Sequence, residues 1–244
     1  MKRFAFLTLA LLLCLSSLVS CGSELDEDAL SSLRSSAENW EKDEYSADFC
    51  LNMRAKGLEK VLFFSQGNYG VTNGESGKKL DAKMSIVSFG LSAESTASWE
   101  NGVMTSVTAG TEVKSEMTEN ELFGTMIYVK PFVPDDKYIS GCEKLTTGAG
   151  SGVAVKLKNA VDILYPLLGE DVFDLASIYK PRCDMTKAEN AEIIYTLNGS
   201  VITGMKISFT LKVYDTPPYV PGGNDPDPED YALKIEVSFN VEYK

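Results

Sequence analysis

Two stretches near the C-terminal end restrict the fold more than anything else in the chain. In the first, Met205, Ile207, Phe209, Leu211 and Val213 alternate with Lys206, Ser208, Thr210, Lys212 and Tyr214. In the second, Tyr231, Leu233, Ile235, Val237, Phe239, Val241 and Tyr243 alternate with Ala232, Lys234, Glu236, Ser238, Asn240 and Glu242. A period of two sends successive side chains to opposite faces, so each stretch is a long strand with one apolar and one wet face. A sheet built from such strands has to cover its apolar side.

From about residue 44 the first half of the chain carries the same period, punctuated by turn dipeptides. Asn-Gly pairs start at Asn73, Asn101 and Asn198. Because Asn-Gly tolerates the positive φ of a two-residue hairpin turn, these predict antiparallel connections. Strands are expected at Tyr45 to Lys56, Lys60 to Val71, Lys79 to Leu91, Ser92 to Trp99, Val103 to Thr108 and Phe123 to Val129. Between the last two, "TENE" at 118 to 121 matches a capping box and predicts a single helical turn.

The segment between the two β halves supplies material for the cover. In "VAVKLKNAVDILYPLLGED", Leu157, Ala160, Val161, Leu164 and Leu168 fall on one helical stripe, with Gly169 placed to end it. Pro166 donates no amide and crowds the carbonyl of Asp162, so a kink or an early end is expected near Tyr165. A second short helix is expected from Glu170 to about Tyr179, before Pro181. Near the start, "ALSSLRSSAENWEK" places Leu30, Leu33, Ala37 and Trp40 at helical spacing, with Asp26 or Asp28 able to cap the first turn. Helices on one face of a curved antiparallel β-sheet make an α+β layer structure. No Gly/Ser-rich or Pro-rich linker cuts the middle of residues 29–244, which are expected to form a single domain.

The N-terminal end is of another kind. Lys2 and Arg3 precede an almost wholly apolar run from Phe4 to Leu13, the pattern of a secretory signal peptide over residues 1–20. That run falls short of the ~20 residues a membrane helix needs. Leu18-Val19-Ser20-Cys21 resembles the bacterial lipobox, in which the cysteine is lipidated and becomes the first residue after cleavage. Cys21 is then a lipidation site carrying acyl chains such as palmitate, and residues 21–28 are a lipidated tether. Ordinary cleavage near Ser20, leaving a free thiol, is the alternative. Each buried CH₂ contributes about 0.8 kcal/mol, so two or more chains hold a protein to a bilayer without a membrane helix. The expected location is the cell envelope, extracytoplasmic and lipid-anchored to the membrane.

Charge narrows the partners. The chain has 23 Lys and Arg against 35 Asp and Glu, a formal net charge of -12. Nucleic acid is excluded as a partner, because phosphate-backbone binding needs a basic patch. Adhesion to anionic lipid is disfavoured for the same reason, which leaves membrane attachment to the acyl chains. The count of histidines is 0. Their absence removes the commonest general base, the Ser-His and Cys-His nucleophile systems and the usual zinc ligand, so the chain is expected not to be an enzyme.

Beyond Cys14 and Cys21 there are Cys50, Cys142 and Cys183. An odd number allows at most one internal disulfide and one free thiol, with all three pairings open, or three buried thiols.

Lipobox, N-terminal helix, antiparallel strands, central helices and long closing strands, in that order, are similar to the carrier fold shared by the Lol-system lipoprotein carriers and the LppX/LprG glycolipid-binding lipoproteins. "STASWENGVMTSVTAGTEVKSEMTENEL" resembles their run of strand, Asn-Gly turn, strand, "G-x-x-x-K" and short helix. The resemblance spans about residues 29–244. It implies a half-barrel covered on its concave face by helices, with an apolar cavity for acyl chains between them. Alternation then nominates the lining: Met205, Ile207, Phe209 and Leu211, with Leu233, Ile235, Val237 and Phe239 opposite, and Val161, Leu164 and Leu168 from the lid. The same pattern builds a plain core, because a sheet covered by helices needs it.

Other features carry less. In "DTPPYVPGGNDPDPED", 215 to 230, Asn224, Asp225, Asp227, Glu229 and Asp230 offer oxygen ligands for Ca²⁺, but without EF-hand spacing and among prolines that hold the chain extended. Asp135-Asp136 and Glu170-Asp171 are sequence neighbours, not the two facing carboxylates of a glycosidase. "TTGAGSG" at 146 to 152 lacks the Lys-Ser/Thr ending of a phosphate loop and is expected to be a flexible strap. Asn198-Gly199-Ser200 matches a glycosylation sequon. No cofactor and no metal are expected. The function expected is that of a membrane-tethered lipoprotein binding an apolar ligand, a lipid or lipid-like molecule, between sheet and helices. The alternative is a structural lipoprotein with a filled core, binding an envelope protein partner through its loops.

Overall fold

The computed structural model describes residues 25–40, 42–57, 60–74, 77–88, 90–125, 130–147, 150–160, 162–163, 188–213 and 233–244. Helix α1 is Glu27–Glu38. Eleven strands follow: β1 Tyr45–Ala55, β2 Lys60–Gly74, β3 Gly77–Ser88, β4 Leu91–Glu100, β5 Val103–Thr108, β6 Thr111–Glu116, β7 Ile139–Thr147, β8 Gly150–Leu157, β9 Ala188–Asn198, β10 Val201–Val213 and β11 Leu233–Tyr243. Helix α2, Glu119–Thr125, and a 3₁₀ turn, Asp136–Tyr138, lie between β6 and β7.

All eleven strands form one open sheet in the order β6-β5-β4-β3-β2-β1-β11-β10-β9-β8-β7. The chain enters at the centre with β1, walks outward by hairpins to β6, reappears at the opposite edge as β7 and walks back until β11 closes against β1. Every strand pairing is antiparallel, whether the strands are joined by a short turn, as β4 and β5 are, or lie far apart in sequence, as β1 and β11 do.

Local chemistry explains the turns and caps. Asn101 and Gly102 have φ of 53° and 79°, as a two-residue turn of matching twist demands. Ala109 and Gly110 do the same between β5 and β6, with φ of 50° and 83°. The other two Asn-Gly pairs sit at strand ends instead. Val201 pairs with Asn198, so the turn is Gly199-Ser200, and Asn73 and Gly74 are the last residues of β2, paired with Lys78 and Gly77. The capping box forms as expected: Glu121 N–H donates to Thr118 Oγ1 at 3.2 Å and Thr118 N–H to Glu121 Oε2 at 2.7 Å. At α1, Ala29 N–H donates to Asp26 Oδ1 at 2.8 Å. Asp26 N–H in turn donates to Cys142 O, and Leu25 bridges β7, so the end of the expected tether is already stitched to the sheet.

Several expectations are corrected. Phe123 to Thr125 belong to α2 and not to a strand. Leu157 ends β8, because "VAVKL" alternates against β7 and β9 instead of opening a helix. Of "TTGAGSG", Thr146 and Thr147 end β7 and Gly150, Ser151 and Gly152 open β8, so most of the expected strap is paired strand. Strands β6, β7 and β9 were not foreseen. Val161, Leu164, Leu168, the helix at 170–179 and the loop at 215–230 lie outside the described residues. Cys50 and Cys142 are both free, and Cys183 lies outside the described residues.

Candidate binding face

Register divides the sheet into a wet and an inner face. On β10 and β11 the inner side chains are Met205, Ile207, Phe209 and Leu211 opposite Val241, Phe239, Val237 and Ile235. All eight are at most 3% exposed. Ile193 and Tyr195 on β9 and Val153 and Val155 on β8 continue the layer. Helix α1 closes it by adding Ala29, Leu30 and Leu33 to the same buried cluster. Seven of the eight nominated lining residues on β10 and β11 therefore come together as one apolar layer. The eighth, Leu233, pairs with Val213, and its side chain lies outside the described residues.

An aromatic group seals the Tyr243 end. Trp40, just past α1, makes edge contacts to Tyr45 and Tyr243 at 4.7 and 5.2 Å between ring centroids and donates from Nε1 to Ile202 O at 3.3 Å. Burial pushes the Tyr45, Tyr195 and Tyr243 hydroxyls up, away from ionisation. Tyr195 donates to Phe132 O at 2.8 Å. The buried Tyr243 hydroxyl has no partner among the described residues.

On the other side of β1 the inner face changes character. Val71, Leu80, Trp99 and Met104 run across β2 to β5 and are buried, with Trp99 donating to Met117 O. Farther along the same strands come Gly67, Met84 and Ser95, then Ser65, Ile86 and Ala93, then Phe63, Ser88 and Leu91. Phe63, Met84, Ile86 and Ala93 are only half-buried, and Leu91 is 77% exposed. This strip joins the buried layer through Met53, which pairs with Phe63 on one side and Val237 on the other. Its members Ser65, Ser95 and Ala93 are small, which thins the layer, whereas a Cβ at Gly67 would already meet Lys83 O at 2.1 Å. Alternation within "KMSIVS" marks Met84 and Ile86, but periodicity alone cannot separate an open apolar wall from a closed one.

Polar clefts lie elsewhere. One of about 520 Å³ on the wet face is lined by Asp48, Cys50, Gln66, Asn68, Lys83 and Asn240, among others. Burial raises the Cys50 thiol and, together with the charge of Asp26, that of Cys142, which makes both poorer nucleophiles. Asp136 is held by Arg34, Nη2–Oδ1 2.6 Å and Nη1–Oδ2 3.3 Å, so this carboxylate is part of an ion pair. Among the described residues no group of three Cys, Asp or Glu side chains is placed to hold a metal. No described helix is long and apolar enough to cross a membrane.

No protein-family model matches the chain, and no curated protein does. Solved structures do. LprF from Mycobacterium bovis is 13% identical, with 91% of this chain and 94% of that one covered at a TM-score of 0.40. The LolA superfamily protein NE2245 from Nitrosomonas europaea is 8% identical over 88% and 91%, TM-score 0.27. A DUF1329 family protein from Desulfovibrio piger is 9% identical over 91% and 92%, TM-score 0.29. These are similarities at low identity, and no residue's role transfers from them.

Proposed function

We propose that this chain is an envelope lipoprotein, anchored through Cys21, that holds an apolar ligand of the lipid class against the inner face of its sheet. The observation that supports it is the half-buried strip Phe63, Met84, Ile86 and Ala93, continuous through Met53 with the buried layer of β10 and β11. Apolar surface gathered in one strip and flanked by small side chains suits acyl chains, which need width and no hydrogen-bond partners. Phe209, Leu211, Leu233, Ile235 and Val237 stand at the same end of the sheet and form the floor in this reading. Met205, Ile207 and Phe239 extend that floor, and Val161, Leu164 and Leu168 are its proposed cover.

Native mass spectrometry followed by denaturing extraction tests this on the Cys21→Ser chain, which cannot carry an anchor lipid at that position. A stoichiometric apolar adduct is expected, reduced in Ile86→Asp. An apo mass, with no uptake of a fluorescent acyl probe, overturns the proposal.

A further inference from the structure

Strand β6 is one edge of the sheet. All six residues of Thr111–Glu116 are exposed, and Val113 is 58% exposed. Edge strands are commonly protected by charge, and Glu112, Lys114 and Glu116 supply it here. The pair Glu112-Lys114 has a further property, because it reads as its own complement when the strand is reversed.

Main-chain phase fixes which groups face outward. The β5–β6 turn has two residues, with Thr108 paired to Thr111, and Met117 N–H donates to Gly102 O at 2.9 Å. Residues 111, 113, 115 and 117 therefore direct their amides and carbonyls to β5, whereas Glu112, Lys114 and Glu116 direct theirs away from the sheet.

We propose that β6 pairs antiparallel with β6 of a second copy of this chain, with Val113 on the two-fold axis. Glu112 then exchanges both main-chain hydrogen bonds with Lys114 of the second copy, and Lys114 with Glu112. Val113 meets Val113 as the closer, non-bonded pair, and Thr111 meets Ser115. Each carboxylate lies opposite an ammonium, a favourable cross-strand arrangement. Sliding by two residues in one direction sets Glu112 against Glu112. Sliding in the other sets Lys114 against Lys114 and Glu112 against Glu116. A further slide, centred on Ser115, restores opposite charges but leaves only three strand residues on each side. Self-pairing is isologous and closes as a dimer, joining two sheets into one.

Cysteine cross-linking of the full-length chain in its membrane reads the register directly. Cα atoms of a non-bonded pair lie about 4.5 Å apart, within disulfide reach. Under mild oxidation Val113→Cys should give a dimer as the main product, and Glu112→Cys and Ser115→Cys should not. The unsubstituted chain measures what its native thiols contribute. Adding Glu112→Lys to Val113→Cys should abolish the cross-link, and adding Lys114→Glu as well should restore it. Equal cross-linking at all three positions, cross-linking strongest at Ser115→Cys, or none at Val113→Cys overturns the proposal.

Discussion

The layer over β8 to β11 and the far ends of β2 to β4 are built from the same alternation, yet only the first is closed. Ile193, Ile207 and Ile235 are 0% exposed, while Ile86, on an equivalent inner position, is half-buried. The difference lies in what stands above each strand and in side-chain size. Large residues meet α1 on one side, and the small side chains of Ser65, Ser95 and Ala93 thin the layer on the other. Alternation sets which face is apolar, and bulk above the sheet sets whether that face is sealed.

Truncating one isoleucine in each region breaks or sharpens this contrast. Ile207→Ala should cost about 2–5 kcal/mol, because it removes fully buried methyl groups and leaves a cavity. Ile86→Ala should cost about 1–2 kcal/mol, in keeping with partial burial. Urea midpoints at constant m-value compare them, and equal losses would show that the Ile86 strip is core after all. Gly67→Ala comes next. Its Cβ would lie 2.1 Å from Lys83 O and 2.8 Å from Met84 Cα, both main-chain atoms that cannot rotate away. Overpacking of this kind costs about 1–3 kcal/mol, and hydrogen exchange should place the loosening in β2 and β3 and not in β10.

The sealed region was the more legible in sequence. Met205 to Val213 and Leu233 to Tyr243 alternate without interruption, and both strands came out with their inner faces as read. Asp26, "TENE" and Asn101-Gly102 were legible too, since each acts within four residues. What misled was "VAVKL": Leu157 satisfies a helical stripe with Ala160, but Val153 and Val155 also satisfy a strand, and pairing with β9 decided the matter for Leu157, while Ala160, Asp162 and Ile163 are helical. Strand β6 was hidden for the opposite reason, because an edge exposed on both faces needs no apolar period. The open strip was invisible because Met84 and Ile86 have the same period whether or not anything covers them. Alternation brought seven of the nominated lining residues into one layer but carries no information on whether a ligand or side chains fill the space above it.

At the sealed end, Tyr243→Phe gives a smaller effect of opposite sign. Its hydroxyl is buried with no partner among the described residues, and an unpaired buried polar group costs about 1–3 kcal/mol. Removing it should raise stability by about 1 kcal/mol while the ring keeps its contact with Trp40. A loss in the urea midpoint would mean that the hydroxyl is bonded in solution.

The smallest effect separates two surface ion pairs, one in each region. Arg34 and Asp136 lie 102 residues apart and tie α1 to the segment before β7, whereas Glu112 and Lys114 lie in one strand and tie together nothing that β5 does not already hold. The Arg34 guanidinium holds the Asp136 carboxyl below its ordinary 3.8 and raises its own pKa, so Arg34 stays charged throughout the acid range. A carboxylate lowered on folding contributes stability that is present above its unfolded value and lost as pH falls through the folded one. Asp136→Asn should therefore lower the urea midpoint at neutral pH, with the deficit constant until pH approaches 3.8 and shrinking below it. Once the pH is below the folded-state pKa of Asp136, the variant and the parent should converge. Glu112→Gln should leave the monomer's midpoint unchanged at either pH, because an exposed pair within one strand closes no loop. If Asp136→Asn keeps its full deficit in acid, the residue acts through the 3₁₀ turn and not through Arg34.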